Sequence, residues 1–224
     1  MSNTNIYPAI LTDSLTTFQE ELADFAQLPE SVQTIHIDII DGEFADNFTL
    51  TPLDILEFVS EDFFFDFHLM VNQPEDYLSE CLAIQNTRAI IAQVEHMSKQ
   101  AHFLEDINKN ERMPGLSLDL YTPVEAIEEE SWKEMKVLLL MGIEAGFQGR
   151  EMKTALVIEK LREVSEIKRQ KGLSDLEIIV DGGVNEATIR AVVNAGADSV
   201  VVGSALIKSD NMISAYKNLE DLAD

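Results

Sequence analysis

His36 and Asp38 stand two residues apart in Thr34-Ile35-His36-Ile37-Asp38-Ile39-Ile40-Asp41-Gly42, a β-branched run that ends at Asp-Gly. Side chains alternate faces along a strand, so this imidazole and this carboxylate point the same way near its C-terminal end. That pairing suits a divalent cation of the zinc, iron(II) or manganese kind. Similar strand ends recur. Phe63–Met70 places Asp66 and His68 on one face, and Leu176–Val180 ends at Asp181-Gly182-Gly183. Any one of these residues could simply cap a loop. Together His36, Asp38, His68 and Asp181 form a full ligand set for one divalent ion, which favours a metal site.

The glycines suggest a second subsite. Gly146-Phe147-Gln148-Gly149, Gly182-Gly183 and Gly203-Ser204 follow the last three predicted strands. Glycine marks tight turns, but it also lets backbone N–H groups approach an anion closely. Phosphate bound this way requires no Lys or Arg.

The elements that must position these groups alternate in type. Strands are predicted at Ile6–Leu11, Thr34–Ile40, Phe63–Met70, Ala89–Val94, Gly115–Leu120, Lys136–Met141, Leu176–Val180 and Ser199–Val202. Helices are predicted from Leu15 to Gln27, from Pro52 to near Val59, from Pro74 to Ile84 and from Ser98 to Asn108. Further helices are expected just after Thr122-Pro123 (short and acidic), over Glu151–Lys171, from Asn185 to Ala195, and over Asp210–Leu222. Eight strand–helix units in 224 residues predict a (β/α)8 TIM barrel as one domain over residues 1–224. A doubly wound open sheet is the alternative. It carries a Gly-rich fingerprint after its first strand, and Leu11-Thr12-Asp13-Ser14 has none. In a barrel the active site lies at the C-terminal strand ends, with phosphate held after strands seven and eight. Phe63-Phe64-Phe65 is read as core.

Asp and Glu number 41 against 16 Lys and Arg, a net charge of −25, and the first basic residue is Arg88. Such a chain repels nucleic acid and anionic membrane, so neither is expected as a partner. A lone cysteine, Cys81, forms no internal disulfide, and no signal peptide or bilayer-spanning run is read. A cytoplasmic protein is expected.

At these residues the chain resembles the ribulose-phosphate 3-epimerase family, nearly end to end. The likeness is carried by His36 through Gly42, His68-Leu69-Met70-Val71, Gly146 through Gly149, Val180 through Asn185, Gly196-Ala197-Asp198 and Gly203-Ser204-Ala205. Barrels of the orotidylate decarboxylase type carry a lysine within the second-strand motif, absent here between Asp38 and Asp41. The resemblance implies one divalent ion (zinc, iron(II), manganese or cobalt) on His36, Asp38, His68 and Asp181. It implies inversion at C3 of a ketose phosphate, D-ribulose 5-phosphate to D-xylulose 5-phosphate, through an ene-diolate. Asp38 would take the proton and Asp181 return one to the far face, with roles exchanged in reverse. Substrate contacts would fall on Ala9, His68, Gly146, Phe147, Gln148, Gly149, Gly182, Gly183, Gly203 and Ser204. A homo-oligomer is implied too.

Several positions depart from the family pattern. Ala9 stands where the family has a substrate-binding serine, and Ile40 where it has Met. Gln93 replaces a His common at the end of strand four, and Asp119 replaces Asn on strand five. Glu144-Ala145 replaces Asn-Pro, Gln148 replaces a glycine, and Arg150 follows. The metal and acid–base set is intact while the substrate shell is altered. Two other readings therefore stay open: a hexulose-phosphate epimerase such as one acting on allulose 6-phosphate, and a barrel that binds sugar phosphate without turnover.

Overall fold

The computed structural model describes residues 4–224. Its second strand, β2 (Thr34–Ile40), shows how the wall is built. Ile35, Ile37 and Ile39 join the core shared with the helices, while His36, Asp38 and Ile40 point into the barrel. Every residue of β2 is buried, as expected of a parallel strand covered on both faces. The other strands are β1 (Asn5–Ile10), β3 (Phe64–Met70), β4 (Thr87–Gln93), β5 (Met113–Leu118), β6 (Val137–Met141), β7 (Glu177–Asp181) and β8 (Ser199–Val202). They pair in sequence order, all parallel, and β8 returns to β1 to close an eight-stranded barrel. Closure removes every sheet edge and brings the ends of β2, β3 and β7 to one mouth.

Helices cover the outside. α1 (Leu15–Phe25) starts at Ser14, whose Oγ accepts a hydrogen bond from Thr17 N at 3.3 Å, and buries Phe18, Leu22 and Phe25. α2 (Pro52–Ile55), α3 (Leu78–Ala83), α4 (Gln100–Lys109), α5 (Thr154–Lys171), α6 (Ile189–Ala195), α7 (Ser204–Ile207) and α8 (Met212–Ala223) follow. Residues such as Phe103, Leu104, Val157 and Leu161 close the layer between helices and strands.

Three expectations shift. α2 stops at Ile55 rather than near Val59, because Phe58 N and Val59 N both donate to Ile55 O and close a tight turn. The acidic helix after Pro123 is two 3-10 turns, Val124–Ala126 and Glu129–Lys133. Glu128, Glu129 and Glu130 repel one another there, and only Val124, Ile127, Ser131 and Trp132 reach the interior. Asn185 caps a turn instead of a helix: its Oδ1 accepts from Ala187 N at 2.8 Å, and α6 begins four residues later.

The N-terminal end of the barrel is closed by charge. Arg88 Nε donates to Asp66 Oδ1 at 2.7 Å, and Arg88 Nη1 to Glu177 Oε2 at 2.9 Å. Tyr7 Oη and Ser199 Oγ each donate to Glu177 Oε1 at 2.6 Å. Asp66 therefore belongs to this floor and not to the mouth where its face-mate His68 lies. Phe64 shares their parity but opens onto solvent at the barrel's lower rim, 51% exposed, whereas Phe63 and Phe65 are core. Arg88→Met strands the fully buried Asp66 without a partner. We expect it to cost about 3–5 kcal/mol in urea unfolding. An unchanged midpoint would show that the floor ion pairs contribute no net stability.

Candidate active site at the C-terminal mouth of the barrel

β2, β3 and β7 each carry an inward-facing polar residue at or two positions before the C-terminal end: Asp38, His68 and Asp181. His36, Asp38, His68 and Asp181 each bring one potential ligand atom within 4.8 Å of all the others, and all four residues are buried. His68 Nδ1 lies 3.0 Å from Asp38 Oδ1 and 3.6 Å from Asp181 Oδ2, so carboxylates from far-apart strands converge on one nitrogen. His36 Nε2 lies 3.5 Å from Asp38 Oδ1. Neither ring nitrogen of His36 has a hydrogen-bond partner, although both are buried. A buried imidazole without a partner is costly. A cation accepting its lone pair is the natural remedy, so the donor set fits a divalent ion.

The electrostatics are those of a cluster built for charge. Burial alone would push the His68 imidazole down. Hydrogen bonds to Asp181 and Asp38, and their negative charges, outweigh it and lift the ring to about 9. Burial likewise works to raise Asp38, but the His68 hydrogen bond at 3.0 Å and the two imidazoles packed beside it hold its carboxyl well below the usual range.

Above the cluster opens a cavity lined by Asp38 and Asp181. Ala9, Gly146, Phe147, Gln148 and Gly149 line it on one side. Gly182, Gly183, Gly203 and Ser204 line it on the other. His36 and His68 lie beneath as its fully buried base. Among the described residues that line it there is no Lys or Arg.

Backbone shape makes two of these glycines obligatory. Gly183 sits at φ 77°, and a Cβ there would lie 2.8 Å from Met152 N. Gly146 sits at φ 94°, and its Cβ would collide with Ala45. The loop after β6 is thereby drawn against the loop after β2. Asn47 Nδ2 donates to Gly146 O at 2.9 Å, Ala145 N to Asp119 Oδ1 at 2.8 Å, and Gly146 N to Met70 Sδ at 3.1 Å. Gly146→Ala should push the two loops apart. We expect a loss of about 1–2 kcal/mol in stability from the left-handed backbone alone, and a raised KM for a phosphorylated substrate. An unchanged KM would mean that this loop does not shape the phosphate subsite.

Comparison with known proteins agrees with the geometry. The ribulose-phosphate 3 epimerase family model matches residues 5–207. The chain belongs to this family. It is 34% identical to the ribulose-phosphate 3-epimerase of Bacillus subtilis, over 90% of this chain and 91% of that one. It is 31% identical to that of Helicobacter pylori, over 89% and 94% of the two chains. Among solved structures, a thiamine phosphate pyrophosphorylase from Pyrococcus furiosus superposes with a TM-score of 0.60 at 18% identity, covering 99% of this chain and 96% of that one. A phosphoribosyl anthranilate isomerase from Thermus thermophilus gives 0.60 at 11%, covering 98% of each. These two share the fold.

Within this family frame, the departures find specific neighbours. Glu144 pairs with Arg150 at 3.4 Å, and Arg150 stacks on the Phe147 ring at 4.0 Å; neither charge lines the cavity. Gln148 turns inward, with Nε2 3.7 Å from where a Cβ on Gly203 would lie. Sequence reasoning missed Asn47, whose contact spans 99 residues and leaves no local pattern. It also missed Lys208, whose Nζ comes within 3.5 Å of a Cβ position on Gly149. A lysine just past Gly203-Ser204 was the available signal.

Proposed function

We propose that this protein is a divalent-metal-dependent ribulose-phosphate 3-epimerase, interconverting D-ribulose 5-phosphate and D-xylulose 5-phosphate. The observation that carries the reading is the meeting of Asp38 and Asp181 at His68 Nδ1, one carboxylate from β2 and one from β7. His36, Asp38, His68 and Asp181 would hold the cation; zinc, iron(II), manganese and cobalt all suit two imidazoles and two carboxylates. When bound, it supplies Lewis acidity for the charge that develops as the proton next to the carbonyl leaves.

The chain's own groups do the rest. The glycine loops after β6, β7 and β8 seat the phosphate at the rim, which fixes C3 between the two acids. Asp38 takes the C3 proton from one face. Asp181 delivers a proton to the other face of the planar intermediate, and the configuration inverts. In reverse the roles exchange. Met70, Met141, Ile143 and Val201 line the cavity with apolar surface that keeps water from the intermediate. The net charge of −25 supports a small-molecule partner over nucleic acid or anionic membrane. Among the described residues no helix is long and apolar enough to cross a membrane.

A second reading draws on Ala9 and Gln148. The methyl of Ala9 leaves room without a hydroxyl, and the Gln148 carboxamide adds a donor beside Gly203. That altered shell also suits a six-carbon ketose 6-phosphate. The test is a comparison of kcat/KM for D-ribulose 5-phosphate and D-allulose 6-phosphate after loading with zinc or manganese. Faster turnover of the five-carbon sugar supports the first reading. A preference for the six-carbon sugar moves the assignment to the second. Tight binding of both without turnover would sink both.

A further inference from the structure

Two side chains cross the gap between the loop after β6 and the turn after β8, in opposite directions. Gln148 reaches from the loop toward the turn: its Nε2 lies 3.7 Å from where a Cβ on Gly203 would stand. Lys208 reaches from the turn toward the loop: its Nζ lies 3.5 Å from where a Cβ on Gly149 would stand. Gly149 and Gly203 both line the cavity above the acids. Helix geometry explains the path of the lysine. Ser204 opens α7 and Lys208 caps its end, with Lys208 N donating to Ser204 O at 3.1 Å. Residues four apart share a face, and helical side chains lean toward the N-terminus. The lysine stem therefore leans back toward Ser204, which also lines the cavity, and its ammonium arrives at the rim.

Charge gives this position its weight. The chain carries −25 overall, and the cavity presents the carboxylates of Asp38 and Asp181. A ketose phosphate entering there is an anion moving toward anions. Glycine N–H groups answer it with partial charges alone. Two cations stand beside Gly149. Arg150 is already committed: its Nη1 pairs with Glu144 at 3.4 Å, and its guanidinium stacks on the Phe147 ring. Lys208 is exposed and has no carboxylate partner among the described residues. Lys168 and Lys171, by contrast, are paired with Asp198 and Glu129.

Resting on the reading of the cavity as a ketose-phosphate site, we infer that Lys208 is a binding residue for the substrate's phosphate. Its ammonium brings to the rim a full positive charge that no carboxylate shares, across from the neutral Gln148 amide. Lysine meets phosphate as a point charge on a flexible stem, so it can follow the anion as it seats. The phosphate is remote from C3. Lys208 therefore holds substrate and transition state alike, which sets KM and leaves kcat untouched.

The test uses the full chain and two variants, Lys208→Met (similar reach, no charge) and Lys208→Arg (charge kept). Turnover of D-ribulose 5-phosphate by zinc-loaded protein gives kcat and KM. Calorimetric titration with inorganic phosphate, on protein without added metal, gives the affinity of the subsite itself. We expect Lys208→Met to raise KM about 10-fold at unchanged kcat and to weaken inorganic phosphate by a similar factor, the usual worth of a hydrogen bond to a charged group. Lys208→Arg should recover most of both. Phosphate affinity and KM both at wild-type values in Lys208→Met overturn the inference. So does a raised KM with unchanged phosphate affinity, or weakened phosphate with unchanged KM, since either separates the lysine from the substrate's phosphate. A fall in kcat alone does the same. If the wild type turns over no ketose phosphate, the epimerase reading fails and phosphate affinity decides this inference by itself. A loss in Lys208→Met then upholds Lys208 as a phosphate-binding residue, and equal affinity ends it.

Discussion

Asp181→Asn is expected to lower kcat for D-ribulose 5-phosphate by about 10²–10⁴-fold, the usual worth of one positioned acid–base group. Asp38→Asn should cost a similar factor. Both carboxylates reach His68 Nδ1, at 3.6 and 3.0 Å, so each variant also removes one prospective metal ligand. Zinc affinity therefore has to be measured beside turnover. At saturating zinc the two losses separate. What remains is the proton-transfer defect, and it should differ in kind between the variants. With one acid gone, the other can still remove a proton from its own face and return it there. Each variant should exchange the C3 hydrogen of one epimer with solvent far faster than it inverts that carbon. Wild-type turnover in either variant, or identical exchange of both epimers in both, would contradict two acids serving two faces.

The second large effect is on stability. In protein stripped of divalent ions, His68 is raised from 6.5 to about 9, chiefly by its hydrogen bonds to Asp181 and Asp38 against the opposing effect of burial. A folded-state value above the unfolded one stabilises the protein below the unfolded value. That contribution is lost as pH rises through the folded value. Stripped protein should thus lose about 3 kcal/mol between roughly pH 6.5 and 9. Asp38 works in the opposite direction. Its folded value is depressed, so its contribution is present above 3.8, the ordinary value, and lost on acidification. A bound cation takes the place of the His68 proton, so the zinc-loaded protein should show little of the alkaline loss. It should also release a proton on loading below pH 9. Urea midpoints at pH 6 and pH 9.5, with chelator and with zinc, check this. A stripped protein as stable at pH 9.5 as at pH 6 would show that His68 does not hold a proton between the two acids.

What the sequence made readable was periodicity. Ile35, Ile37 and Ile39 alternating with His36, Asp38 and Ile40 declared a two-faced buried strand and placed the chemistry on one face. The same two-residue logic put His68 on its face, and the glycines after β6, β7 and β8 marked the rim. Distance along the strand was harder to read. Asp66 and His68 share a face, yet two residues of strand rise separate the charged floor from the mouth. The shift depends on Arg88, a partner on another strand. Helix lengths near acidic runs were overestimated because local pattern does not count repulsion among Glu128, Glu129 and Glu130. The contacts that set the loop after β6, from Asn47, Asp119 and Met70, leave no mark within their own segments. The Gln93 substitution was visible as a letter. Its orphaned Oε1 was visible only in three dimensions.

The central claim is that a cation held by His36, Asp38, His68 and Asp181 lets two opposed acids pass a proton across C3. Incubating the zinc- or manganese-loaded protein with D-ribulose 5-phosphate in deuterium oxide tests it directly. The account predicts D-xylulose 5-phosphate carrying deuterium at C3, loss of both inversion and label when the ion is chelated, and recovery when it is returned. Inversion without label at C3, or labelling that survives removal of the ion, would contradict it.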